Sequence, residues 1–159
     1  MFVRHHLELS VQAWSPWYAK DVELLEGVQR RMVNQVVGLK SPTYEGKLSE
    51  LGLTTLEERR SRGDMIQVWK YLHGQNPGGD QLFSRVNEQA ARASRHTSKV
   101  WNIDRIDWKL ETRKNSFTVR SVNRWNNLPH HVQSAEDLNT FKNRYDKFMC
   151  CDGHSSSLK

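Results

Sequence analysis

Residues 21–40 read DVELLEGVQRRMVNQVVGLK. Leu25, Val28, Met32, Val36 and Leu39 recur at spacings of three and four, the period of one helix face. The stretch predicts a helix over 21–37 with those five residues turned toward the core. Asp21 is placed to cap its start, and Glu23 and Glu26 sit near the positive end of the helix dipole. Gly38 and the Ser41-Pro42 pair stop it.

Working outward, a short helix is expected over 42–51. Ser41 suits its cap, Pro42 its first position and Gly52 its stop. A longer helix begins at Thr54 or Thr55, since Thr54 with Glu57 and Thr55 with Glu58 both have capping-box spacing. Met65, Val68, Trp69 and Leu72 form its apolar stripe, and Gly74 ends it. Leu56 falls on the other side of that stripe, which predicts either a bend near Gly63 or packing on two faces. QNPGGD at 75–80 is a loop by composition, and 87–98 reads as a polar, basic linker. Segments 99–103 and 112–117 are strand-like and predict a small hairpin. A helix follows over 118–126, with Val119, Val122 and Trp125 along one side and Leu128-Pro129 as its stop. In the final helix Leu138, Phe141, Tyr145 and Phe148 are the buried stripe, and Ser134 with Asp137 has capping-box spacing. The fold class is mainly α. The expected divisions are 1–74 helical, 75–98 loop and linker, 99–149 hairpin plus two helices, and 150–159 a disordered tail.

The 159 residues suit one domain, or one plus ragged ends, and 36% hydrophobic content leaves a large polar surface. Six Trp, five Phe and four Tyr argue against wholesale disorder. Lys and Arg number 24 against 18 Asp and Glu, a net charge of +6. That balance fits an anionic partner such as nucleic acid, or simply a soluble basic protein. Cys150 and Cys151 are the only cysteines, too few for a disulfide framework, which points to an intracellular, cytoplasmic or nuclear setting. No segment has the run of apolar residues a membrane span needs.

Several segments, taken in order, resemble the C-terminal part of reverse transcriptases from non-long-terminal-repeat retrotransposons of the jockey-like branch. They are VRHHLELSVQAWSP (3–16), LEGVQRR (25–31), Tyr44-Glu45 with Lys47-Leu48 and Leu51-Gly52-Leu53, TLEERRSRGDMI (55–66), RKNSFTVRSVNRWNNLP (113–129), and Phe141-Lys142-Asn143-Arg144 with Asp146. The resemblance spans 3–148, and its specificity lies in joint order and spacing. His5 and Leu9 depart from the family's usual Pro and Tyr. The resemblance implies a helical thumb, which holds a primer-template duplex, running into a tail. It implies binding of RNA or an RNA/DNA hybrid, weak and without sequence preference, with no small-molecule substrate and no cofactor. The family's catalytic Tyr/Phe-x-Asp-Asp turn is not matched, for the chain has no Asp-Asp pair. The piece is therefore expected not to be an enzyme alone, and Met1 reads as an internal start in a truncated element.

Arg59, Arg60 and Arg62 are the densest basic cluster within a predicted helix. They suit backbone phosphates, or alternatively pair with Glu57, Glu58 and Asp64 at helical spacing. Arg113, Lys114, Arg120 and Arg124 lie in a second basic zone from 92 to 124 that interleaves Trp101 and Trp108. That mixture suits a single strand held by charge and stacking, or two Trp packing a hairpin onto the core. Trp14, Trp69 and Trp125 sit in apolar patterns and read as core. Arg62-Gly63-Asp64 spells an integrin-binding tripeptide, but it lies mid-helix. The His5-His6, His130-His131, Cys150, Cys151 and His154 set lacks the spacing of a zinc site. A protein-interaction module, or a translated fossil without a role, are the competing functional readings.

Overall fold

A computed structural model of the chain describes residues 6–85, 101–104 and 109–151. These are mainly α-helical, as expected: α1 (Ala19–Asn34), α2 (Tyr44–Glu50), α3 (Leu56–Leu72), α4 (Gly79–Leu82), α5 (Glu111–Lys114), α6 (Phe117–Asn126), α7 (His130–Gln133) and α8 (Leu138–Cys151). The chain divides into two compact units, Met1–Gly63 and Asp64–Lys159.

In the first unit α1 runs over nearly the expected residues but turns a different face inward. Gln29 and Val33 are its buried residues. The expected core positions Met32 and Val36 are 38% and 44% exposed. The cause is a polar anchor. The Glu26 carboxylate accepts from Tyr44 Oη at 2.5 Å and from the Leu56 amide at 3.0 Å. Gln29 Nε2 donates to Tyr44 Oη at 3.0 Å and to the Thr54 carbonyl at 3.2 Å. These bonds tie α1 to α2 and to the start of α3, and they outrank the apolar stripe in setting the rotation. Burial, reinforced by the Glu26 carboxylate, pushes the Tyr44 phenol up to about 12. Tyr18 rather than Asp21 precedes α1, and no side chain caps it.

Helix α2 is capped by Thr43, whose hydroxyl accepts from the Gly46 amide at 3.2 Å. Ser41 instead donates its backbone N–H to Glu50 at 2.7 Å. The start of α3 resolves the choice between Thr54 and Thr55. Thr55 Oγ1 accepts from the Glu58 amide, and Glu58 Oε2 accepts from the Thr55 amide, both at 3.2 Å. That reciprocal pair is a capping box. Leu56 is fully buried in this unit. Trp14, expected in the core, is 39% exposed. Its indole N–H donates to the Leu9 carbonyl at 2.7 Å, and the Arg60 guanidinium carbon lies over its ring, 5.3 Å from the centroid.

The second unit has one hydrophobic core. Met65, Val68, Trp69 and Leu72 of α3 pack with Phe83, Ile103, Val122, Trp125, Leu128, Val132, Ala135, Phe141 and Tyr145. The stripes expected on α3 and α6 are buried; on α8 Phe141 and Tyr145 are buried, while Leu138 and Phe148 pack against the core half-buried. Trp69, Trp125 and Phe141 are each at most 1% exposed, and burying a side chain of that size contributes roughly 1.5–3 kcal/mol. The two indoles are also satisfied: Trp125 Nε1 donates to the Trp101 carbonyl at 2.7 Å and Trp69 Nε1 to the Ala135 carbonyl at 3.3 Å. Helix α8 is capped by Asp137, which accepts from the Asn139 and Thr140 amides at 2.8 Å, not by Ser134.

The expected hairpin is replaced. Segment 112–117 forms α5 and the first residue of α6. Ile103 makes an isolated antiparallel bridge with Arg85 instead. The Asn126 side chain completes that pairing, accepting from the Ile103 amide at 2.9 Å and donating to its carbonyl at 2.8 Å. Local β propensity at 112–117 yields here to a helical turn, whose end is held by Arg120 donating to the Asn115 carbonyl at 3.1 Å. The expected loop at 75–80 includes the start of α4. The expected linker at 87–98, residues 99 and 100 of the hairpin, and 152–159 of the tail lie outside the described residues. Among the described residues no helix is long and apolar enough to cross a membrane.

Candidate nucleic-acid interface

The seven basic residues singled out above meet different fates. Arg59 reaches back to Glu8, with Nε to Oε1 at 2.5 Å and the second guanidinium nitrogen to Oε2 at 2.8 Å. Arg60 is 5% exposed, donates to the Leu7 carbonyl at 3.4 Å, and is lowered from the usual arginine value by burial. Among the described residues its buried Nε has no hydrogen-bond partner. Arg62 is half-buried. The trio therefore does not present one basic face. Of the neighbouring acids, Glu58 closes the cap of α3 and Asp64 pairs with Arg120.

In the second unit Arg120 and Asp64 form a bidentate pair at 2.9 and 3.1 Å, with side chains 18% and 3% exposed. Burial pushes the Asp64 carboxyl up, against the pull of Arg120 and Arg124. Arg120 is thus a buttress within the fold. The tripeptide at 62–64 has its Asp buried, so it offers no exposed carboxylate. Arg124 is half-buried. Arg113 and Lys114 are exposed side by side on α5. Lys114 pairs loosely with Glu111 at 3.6 Å, both side chains more than half exposed. An exposed pair of that kind contributes little and is readily exchanged for a phosphate. The structure therefore gathers Arg113, Lys114 and Arg120 around Asn115 and leaves the first two open to solvent. Among the described residues no three His, Cys, Asp or Glu side chains are grouped to hold a metal.

A groove of about 590 Å³ in the same unit, which no motif in the sequence marks, is lined by Tyr71, His73, Pro77, Asp80, Arg85 and Trp101, among others. Its wall is a stack. His73 lies 4.0 Å from Trp69 and 4.6 Å from Trp101 between ring centroids, within 15° and 8° of parallel. The Arg85 guanidinium carbon lies 5.1 Å from the Trp101 ring centroid, and Arg85 donates to the Leu72 carbonyl. His73 Nδ1 donates to the Trp69 carbonyl at 2.9 Å. Burial holds this imidazole below its ordinary value, with Arg85 adding to the shift. Gly79 closes the groove's floor because a Cβ there would meet the Tyr71 carbonyl oxygen at 2.4 Å. The only signal in the sequence is the four-residue spacing of Trp69 and His73. Trp101 stacks on groups distant in sequence rather than packing a hairpin onto the core.

No protein-family model, no curated protein and no solved structure matches this chain.

Proposed function

We propose that this chain is the thumb-and-tail portion of a non-long-terminal-repeat retrotransposon reverse transcriptase, a helical thumb-like bundle that binds RNA or an RNA/DNA hybrid through charge and carries no polymerase chemistry of its own. The motif order over 3–148 supports the ancestry. The observation that carries the binding is the open pair Arg113 and Lys114 on α5, a turn fixed from behind by Arg120. Such a pair recognises backbone phosphates without reading sequence. Arg124 extends the same zone, and Arg59 contributes only where Glu8 releases it.

The test is a titration of the full chain with labelled single-stranded RNA and hybrid duplex across salt. If about four phosphates are contacted, the log–log slope is near −3 to −4. Replacing Arg113 and Lys114 with Gln flattens the slope by about 1.5 while the melting temperature holds. No binding to either ligand at low salt removes nucleic-acid binding as the function. A second reading, a protein-interaction module, draws support from the outward apolar stripe of α1.

A further inference from the structure

Helix α1 carries two faces. Val22, Glu26, Gln29 and Val33 look inward, fixed by the bonds of Glu26 and Gln29. Leu24, Leu25, Val28 and Met32 lie about a third of a turn away at 100° per residue. Leu24 is 60% and Met32 38% exposed. The stripe continues beyond the helix at both ends, through Trp17 and Tyr18 before it and Val36 and Val37 after it, the last 97% exposed. An apolar strip of that length on a small protein marks an interaction surface.

The charges along it are ordered. Asp21 stands at the N-terminal end of the stripe and Arg31 beside its C-terminal end, both exposed. Glu23 and Arg30 pair with each other at 3.1 Å on the other flank and take no part. Ten residues separate Asp21 from Arg31, about 15 Å of helix. A two-fold axis at the level of Glu26 sets Asp21 of one copy opposite Arg31 of the other, twice. The same axis sets Leu24 against Val28, and brings Trp17 and Tyr18 of one copy toward the Val36–Val37 turn of the other. Helix dipoles are opposed in that arrangement, which is also favourable.

We infer that the occupant of this face is a second copy of the chain, docked through antiparallel α1 helices. The contact is isologous, so each substitution acts twice. This inference is independent of nucleic-acid binding, which is carried by Arg113 and Lys114 of the other unit.

Sedimentation of the full chain over a concentration series tests it. A reversible monomer–dimer equilibrium is expected. Asp21→Arg opposes Arg to Arg, and Arg31→Asp opposes Asp to Asp, so each weakens the dimer about tenfold or more. Mixing the two variants restores it, because both contacts in the mixed dimer are then Arg with Asp. Leu24→Ser weakens it without that rescue. Circular dichroism confirms that each variant keeps its helix. A monomer up to about 100 μM overturns the proposal, since any weaker dimer is negligible at ordinary concentrations. A dimer indifferent to the charge variants, or not restored by mixing them, overturns it as well.

Discussion

Asp64 and Arg120 are 56 positions apart in sequence and meet through two parallel N–H to carboxylate bonds, 2.9 and 3.1 Å, in the second unit. The geometry joins the helix that opens this unit to α6. Removing one partner strands the other. Arg120→Met should cost roughly 3–5 kcal/mol, the range for breaking a buried pair. Adding Asp64→Leu to it should recover much of the loss. In the single variant the deficit should shrink as pH falls. Burial already raises the Asp64 carboxyl, and without Arg120 the folded state gains a proton the unfolded chain releases. Denaturant midpoints over a pH series would check both points, and a deficit that grows in acid would refute the assignment.

Trp125 is fully buried and its indole is bonded to the Trp101 carbonyl. Trp125→Ala should cost about 3–5 kcal/mol, a large share of a small domain's margin. A melting temperature within about a degree of the parent would show that Trp125 is no core anchor.

Thr55 and Glu58 close the capping box of α3. Thr55→Ala and Glu58→Ala should each cost about 1 kcal/mol. Because the two bonds are reciprocal, the double variant should lose less than the sum. Chemical denaturation of the four proteins gives the cycle, and simple additivity would mean the two bonds act separately.

His73 provides a pH signature. Its folded value lies below the ordinary 6.5, chiefly through burial. As pH falls through 6.5 the unfolded chain takes up the proton first, so this residue's contribution is present above that value and lost toward acid. His73→Phe keeps a ring between Trp69 and Trp101 but cannot titrate. Thermal melts between neutrality and about pH 5 should show a smaller acid loss in the variant than in the parent. Equal losses would remove His73 from the account.

Where a face is apolar throughout, the sequence displayed it. Met65, Val68, Trp69 and Leu72 sit on one side of α3, and Val119, Val122 and Trp125 on one side of α6, and the buried polar neighbours Asp64 and Ser121 do not turn either stripe away from the core. Helix α1 misled because its inward face is chosen by Glu26 and Gln29. A buried amide and carboxylate are invisible to a hydrophobic period. The segment 112–117 misled because Thr and Phe suit a strand, whereas Arg120 and the start of α6 make it a helical turn. For the candidate interface the local signal, basic residues in a row, was legible. Which of them is free was not, since Glu8 and Asp64 reach Arg59 and Arg120 from 51 and 56 positions away. The groove beside His73 was hidden for the same reason.

The bridge between Arg85 and Ile103 fixes both ends of the chain that runs between them, with the Asp104 amide to Ser84 carbonyl bond at 2.8 Å as a second stitch. Closing such a span costs entropy that grows only logarithmically, about 0.6 kcal/mol for each doubling of its length. The two stitches hold Ser84–Arg85 and Ile103–Asp104 side by side, so Phe83 and Ile103 enter the same core from segments far apart in the sequence.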